Sequence, residues 1–434
     1  MDRKEFARRR RQLMRMIGKD AIAILPAAPI RHRNGDIEYA YRQDSHFYYL
    51  SGFPEPEAVA VLAPGRAQAE YLLFVRERDA LRESWDGPRA GTEGAVADYG
   101  ADDAFPIADI DEILPGLMEQ RSQIFYSMGT HLDFDPRIIN WVNGLKMQSR
   151  QGGGGLQEFV ALRHVLDDMR LYKSRAEQLS LRHAAQLAVR AHRRAMRFTA
   201  PGRIEYEVMA EVLHEFRSHN ADISYHPIVA GGANACTLHY RNNDQPLREG
   251  DLLLLDAGCE LDYYASDVTR TFPVSGRFTP AQRAVYEVVL EAQLAAIERV
   301  RPGNHWNQPH EAAVRAVTQG LLKLGLLKGA LPKLIKEQAY LPFFSHRTGH
   351  WLGLDVHDVG DYKVGGEWRV LEAGMALTVE PGIYIRPAPG IPAEFRNIGV
   401  RLEDEVLVTA DAPEVLTAAL EKTPDAVETL MQAS

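Results

Sequence analysis

Four acids and one histidine in the second half of the chain have the side chains that a hard cation requires: Asp256, Asp267, His350, Glu380 and Glu403. Asp256 closes an apolar run that starts after Gly250-Asp251, and Asp267 lies in a second run, Tyr263 to Phe272, rich in aromatic and β-branched residues. With the turn-like Cys259-Glu-Leu-Asp262 between them, the two runs read as a β-hairpin buried on at least one face. A buried carboxylate without a partner is costly or takes up a proton, so two of them on one hairpin imply a shared cation. Glu380 closes Ala376-Leu-Thr-Val379 and Glu403 follows Ile398-Gly-Val-Arg-Leu402, which places both on strands predicted to be central. Four carboxylates and one imidazole suit two divalent ions of the manganese, cobalt or zinc kind, bridged roughly 3.5 to 4 Å apart. A single ion would leave carboxylates in surplus.

The densest histidine cluster is His346-Arg-Thr-Gly-His350-Trp-Leu-Gly-Leu-Asp-Val-His357-Asp358. Its glycines permit close backbone approach. One imidazole can bind metal while others donate hydrogen bonds to a substrate carbonyl or its developing oxyanion. His239, in Cys236-Thr-Leu-His239-Tyr240, is a further candidate. Cys259 stands beside the acids and would soften the site towards zinc, but its place in the hairpin turn fits an incidental thiol. There is no Gly-x-Ser-x-Gly elbow, His-Glu-x-x-His helix, Cys-x-x-Cys pair or dinucleotide glycine fingerprint.

The elements around these residues show a weak duplication. One helix is expected to end at Ala200-Pro201-Gly202 and another at Arg301-Pro302-Gly303; amphipathic stretches follow each, Tyr206 to Phe216 and Glu311 to Leu324. Gly250 precedes Asp256 by six residues, as Gly374 precedes Glu380. Two helix-helix-strand halves with an acid at corresponding positions predict a pseudo-twofold sheet whose acids converge near its axis. The helix Ser174 to Phe198 opens this half with Ser174 as N-cap and Glu177 at capping-box spacing, and the domain boundary is placed near Leu171.

Ahead of that boundary the pattern is α/β. Strands are expected at Ala21 to Leu25, in the aromatic run Tyr39 to Phe53, and at Val59 to Leu62, Tyr71 to Val75 and Gln123 to Tyr126. Helices are expected at Asp109 to Glu119 and Pro136 to Leu145, and Gly152 to Gly155 reads as a flexible connection. At the N-terminus, Phe6, Leu13 and Ile17 predict an amphipathic helix whose solvated side carries Arg8 to Arg11. Asp36, Glu38, Asp44, His46, Trp85 and His131 offer polar groups without the spacing of a site, and read as packing and turn residues.

At 434 residues the chain is roughly two to three typical domains long, and its net charge of −9 argues against non-specific binding to nucleic acid or anionic membrane. Two cysteines exclude a disulfide framework and fit a reducing compartment. The charged N-terminus lacks the apolar stretch of a secretory signal, and no segment has the length of a membrane helix, so a cytoplasmic protein is expected.

Taken together, LLLLDAGCELDYYASDVTRTFP, HRTGHWLGLDVHDVG, LTVEPGIY, GVRLEDEVLVT and the N-terminal YRQDSHFYYLSGFPEPEAV resemble the pita-bread metallopeptidases, and within them the Xaa-Pro aminopeptidases. The likeness runs nearly end to end. It implies a creatinase-like N-terminal α/β domain, 1–171, and a pita-bread catalytic domain, 172–434. It further implies a dinuclear centre, usually activated by manganese, with Asp267 and Glu403 bridging, Asp256 on one ion, and His350 and Glu380 on the other. All five positions carry the expected ligand type. By the same resemblance His239, His346 and His357 contact substrate or transition state, Arg401 supports the ligands, and Glu380 carries the proton while a metal-bridging hydroxide attacks the carbonyl before proline. Peptides with proline second would be the substrates, and a dimer or tetramer is implied, in which Trp85 matches a tryptophan that approaches a neighbouring subunit's site. Arg347-Thr348 departs from the small apolar pair common in relatives, which bears on the shape of the proline pocket. The rival is a prolidase confined to Xaa-Pro dipeptides, whose metal centre would be the same. A methionine aminopeptidase would not need the N-terminal domain, a metal-free creatinase-like amidinohydrolase would not need this carboxylate set, and a non-catalytic pita-bread binding protein would not have kept the ligands.

Overall fold

The computed structural model describes residues 1–148 and 157–432. Gly152 to Gly155 lie outside the described residues. The chain divides into two compact units, Met1–Met169 and Arg170–Ser434.

The first unit is built on a six-stranded mixed sheet, in the order Asp103–Pro106, Tyr71–Val75, Val59–Leu62, Ala21–Pro26, Gln123–Phe125 and Glu158–Val160. Its central strands are apolar throughout and buried, as strands covered on both faces must be. The helices Ile110–Met118 and Asp135–Gln148 stand where helical periodicity predicts them. Two expectations are overturned. The aromatic run holds a helix, Ser45–Ser51, rather than a strand: Asp44 accepts the Phe47 N–H at 2.9 Å, and Gly52 ends it at φ 64°, so cap and stop outweigh the aromatic β-propensity. In the helix Arg3–Ile17 the side expected to be solvated is partly buried, because Arg9 and Arg10 donate to the carbonyls of Tyr49 and Leu50 at 3.1 and 2.8 Å. Arg9 lies over the ring of Tyr49 and Arg10 over that of Tyr71, which covers their apolar stems.

The second unit contains two helix-helix-hairpin halves. Helices Arg175–Phe198 and Glu205–Arg217 precede the antiparallel strands Leu252–Asp256 and Thr269–Pro273; helices Pro280–Ile297 and Asn307–Lys323 precede Ala376–Val379 and Asp404–Val408. The first helix carries the expected capping box between Ser174 and Glu177. In register, Asp256 faces Thr269 and Val379 faces Asp404. The second hairpin thus sets Glu380, just after its first strand, level with Glu403, just before its second, whereas in the first hairpin Asp267 lies two residues before the partner of Asp256. The turn of the first hairpin is more structured than expected. Cys259–Leu261 is a buried-to-half-buried strand paired with Tyr264–Ala265, and the chain reverses at Asp262 and Tyr263, both at positive φ. Among the described residues no helix is long and apolar enough to cross a membrane.

Candidate active site

Two backbone alignments assemble the site. Thr348 to Leu352 runs beside strand Ala376–Val379: Glu380 N donates to Thr348 O at 2.8 Å, Thr378 N to His350 O at 3.0 Å and Leu352 N to Ala376 O at 3.0 Å. His350 is thereby fixed next to Glu380. Across the two hairpins, Glu403 N donates to Thr269 O at 3.0 Å, while the Thr271 hydroxyl donates to Arg401 O at 3.0 Å and accepts from Arg401 N at 3.1 Å. That seam brings Glu403 against the strand that follows Asp267.

All nine residues singled out as ligands or catalytic groups, Asp256, Asp267, His350, Glu380, Glu403, His239, His346, His357 and Arg401, line one cavity of about 540 Å³. Asp267, His350 and Glu403 each present a donor atom within 4.8 Å of the others. His350 Nε2 is 3.2 Å from Asp267 Oδ2 and 3.8 Å from Glu380 Oε1. Asp256 joins through Tyr225, whose hydroxyl lies 2.5 Å from Asp256 Oδ1 and 2.6 Å from Asp267 Oδ1, and through Arg401 Nη2, 2.5 Å from Asp256 Oδ2.

So many buried carboxyls cannot all ionise without a counter-charge. Burial, and then repulsion from Asp267, Glu380 and Asp256, holds Glu403 well above the usual range. Burial raises Asp256 against the pull of Arg401, and pushes Glu380 up to about 7. Asp267 goes the other way, because hydrogen bonding and charge from His350 outweigh its burial. For His350, burial is likewise overcome by Asp267 and Glu380, which push it up to about 9.

The imidazoles are oriented by their other nitrogens, and the hydrogen-bond network assigns the tautomers. His350 Nδ1 is 2.9 Å from Trp351 O, so it donates there and Nε2 faces the acids. His346 Nδ1 donates to Arg347 O at 2.7 Å, which leaves Nε2 to accept from the Tyr384 hydroxyl at 2.9 Å. Burial pulls His346 down to about 4, so it is neutral. Burial, then the charge of His350, lowers His357 as well, and their rings meet edge to face at 4.3 Å.

Several contributors were not found from sequence. Thr269 donates to Glu403 Oε2 at 2.7 Å and accepts from Arg401 Nε at 3.1 Å. It lies two residues after Asp267 and so on the same side of an extended chain, a period-two signal that was available. Tyr384, four residues beyond Glu380, joins Arg401 Nη1 at 3.2 Å to His346. Glu405 Oε1 accepts the Asp267 N–H at 3.0 Å. Tyr225 has no local motif to announce it. Cys259 turns away from the cavity, its thiol 3.5 Å from Ala184 O and 3.4 Å from the Ser266 hydroxyl. Of the Arg347-Thr348 pair, Arg347 lines the cavity while Thr348 is buried and bonds His310 Nδ1 at 2.8 Å. Trp85 is 82% exposed on helix Ala80–Asp86 of the first unit.

The donor set fits divalent cations. It is hard and oxygen-rich, it carries excess negative charge in a buried place, and its histidine donates one ring N–H to a carbonyl so that the other nitrogen points at the carboxylates, the usual arrangement of a ligating imidazole.

Comparison with known proteins gives consistent matches. The model of metallopeptidase family M24 covers residues 180–410, and that of the aminopeptidase P N-terminal domain covers residues 6–126. The chain is 42% identical over 436 residues to the Xaa-Pro aminopeptidase of Escherichia coli, spanning 100% of this chain and 99% of that protein. It is 42% identical over 432 residues to the Xaa-Pro aminopeptidase of Haemophilus influenzae, spanning 99% and 98%. Among solved structures, Pseudomonas aeruginosa aminopeptidase PepP matches with a TM-score of 0.98 at 56% identity, covering 100% of this chain and 98% of that one. A zinc-substituted E. coli aminopeptidase P in complex with product matches at 0.97 and 42%, covering 100% and 99%.

Proposed function

The chain belongs to metallopeptidase family M24, and from that premise we propose that it is an Xaa-Pro aminopeptidase, releasing the N-terminal residue from peptides with proline second. The observation that carries this reading is the convergence of four carboxyls and His350 on a cavity whose wall also holds His239, His346, His357 and Arg401. A prolidase limited to dipeptides is not favoured, since the full-length relatives carry the aminopeptidase name.

In this reading Asp256, Asp267, His350, Glu380 and Glu403 are the residues that would hold a pair of divalent ions, with manganese the expected metal and cobalt or zinc as substitutes. A pair of divalent ions held there lowers the pKa of water and polarises a carbonyl oxygen. Glu380 takes the proton released as water adds to the carbonyl carbon, and delivers it to the proline nitrogen as the C–N bond breaks. His239, His346 and His357 donate to or orient the substrate around its carbonyl. Arg401 neutralises part of the acid cluster, holding Asp256 through Nη2 and Tyr384 through Nη1. The bond to proline has no N–H, so recognition must rest on the carbonyl, the ring and the free amino terminus. We also place the domain boundary at 171/172, the protein in the cytoplasm, and the working form as a homo-oligomer to which the exposed Trp85 contributes.

Metal analysis of the purified protein, with activity before and after chelation, tests the centre; activity that survives complete removal of metal would overturn it. An Asp267→Asn variant should fold and lose turnover. Hydrolysis of an Xaa-Pro dipeptide but no longer peptide would return the reading to a prolidase.

A further inference from the structure

Two arginines on the cavity wall have no task in the chemistry just described. Arg241 and Arg347 both line it, both are exposed, and among the described residues neither guanidinium forms an ion pair. This occurs on a chain with 59 acids against 50 lysines and arginines, where carboxylate partners are plentiful. Arg347 is also placed rather than loose: its guanidinium carbon lies 5.5 Å from the centroid of Trp368, on a short hairpin whose Lys363 packs on the same ring at 4.4 Å. Cation–π contact of this kind restrains the fork while leaving its N–H groups open to solvent.

Resting on the aminopeptidase reading, we propose that Arg241 and Arg347 form a carboxylate-binding subsite for the part of the peptide beyond proline. A free amino terminus would be repelled by unpaired guanidinium groups, so a cationic wall suits the other end of the peptide. A carboxylate is the anion that end can offer, and the guanidinium fork binds it with two parallel hydrogen bonds. The ligand is therefore either the C-terminal carboxylate of a tripeptide or an acidic side chain directly after proline. The volume, within the roughly 300–1,000 Å³ of typical small-ligand pockets, leaves room for more than a dipeptide.

The test compares kcat/KM of the metal-loaded enzyme on Ala-Pro-Ala, Ala-Pro-Ala-amide, Ala-Pro-Glu-Ala-amide and Ala-Pro-Gln-Ala-amide, for wild type, Arg347→Gln, Arg241→Gln and the double variant. Wild type should prefer the free acid over its amide, or Glu over Gln, by about threefold to tenfold, mostly in KM and less at high salt. The first preference identifies a C-terminal carboxylate, the second an acidic side chain, and either should shrink towards unity in the double variant. Equal rates on all four peptides in wild type, or an equal loss on all four in the variants, would overturn the subsite while leaving the aminopeptidase reading intact. If wild type cleaves none of them, that reading falls and the subsite with it.

Discussion

Lys173 Nζ sits 2.9 Å from Asp358 Oδ2, joining the start of the catalytic unit to the residue after His357, with both side chains 1% exposed. Arg170 Nη2 completes the clamp at 2.5 Å from Asp358 Oδ1 and 2.7 Å from Asp355 Oδ2. Burial alone would raise the Asp358 carboxyl, but Lys173 and then Arg170 hold it down to about 2. A carboxyl lowered in the folded state stabilises above its unfolded value, near 4, and that contribution is lost as pH falls through 2. Urea unfolding of the catalytic unit should therefore weaken by about 2 kcal/mol between pH 5 and pH 2 from this group. Asp358→Asn should flatten that part of the profile. Asp358→Ala, which takes the carboxylate from the buried Lys173 ammonium and leaves Arg170 its contact with Asp355, should cost about 3–5 kcal/mol at pH 7.

Thr269 is expected to matter through Glu403. Its hydroxyl is the donor to Glu403 Oε2 and the acceptor from Arg401 Nε, so a valine of the same shape removes both contacts and nothing else. Groups that orient metal ligands typically contribute 10- to 100-fold in affinity. Titration of Thr269→Val with manganese should show a loss of about that size with little change in melting temperature. Unchanged affinity would mean that the backbone seam alone fixes Glu403.

How much of this was legible beforehand depended on the range of the interaction. Asp256, Glu380 and Glu403 could be read because each closes or follows an apolar run, and the run itself announces a buried strand. His350 could be read because glycines flank a histidine-rich segment. Tyr225 could not, since its role comes from the fold bringing residue 225 to carboxylates at 256 and 267. Arg9 and Arg10 misled for the same reason: a charged helix face looks solvated until carbonyls 40 residues away are found to cover it. The Tyr39 to Phe53 stretch failed on a local competition, in which Asp44 and Gly52 set helix limits that aromatic alternation concealed.

Metal loading should stabilise the second unit selectively. Burial and mutual repulsion raise Asp256, Glu380 and Glu403, which marks a cluster that gains free energy when a cation enters. A ligand bound only by the folded state stabilises by about 2.7 kcal/mol at 100 times its Kd. A thermal melt with added manganese should move the catalytic unit's transition upward by several degrees relative to a chelator-treated sample. The transition of the first unit should stay in place, and Asp267→Asn should lose the response.

Gly349 offers a steric test of the site's backbone. A Cβ there would lie 2.0 Å from Thr378 O, far inside contact distance, and the neighbouring bonds Glu380 N to Thr348 O and Thr378 N to His350 O leave that carbonyl little room to retreat. An alanine must therefore push Thr348 to His350 away from the strand that leads into Glu380, separating two donors 3.8 Å apart. Displacement of this kind should reduce metal affinity by at least tenfold and turnover further, since a misplacement near 1 Å can cost about 100-fold in rate. Gly144 is the matched control. It lies inside helix Asp135–Gln148 of the other unit with open space where a Cβ would stand, so Gly144→Ala should leave metal binding untouched. That variant should instead stabilise its helix by about 0.5–1 kcal/mol. Equal metal affinity in both variants would show that the strand yields around Gly349, and that the close approach is not what holds His350 to Glu380.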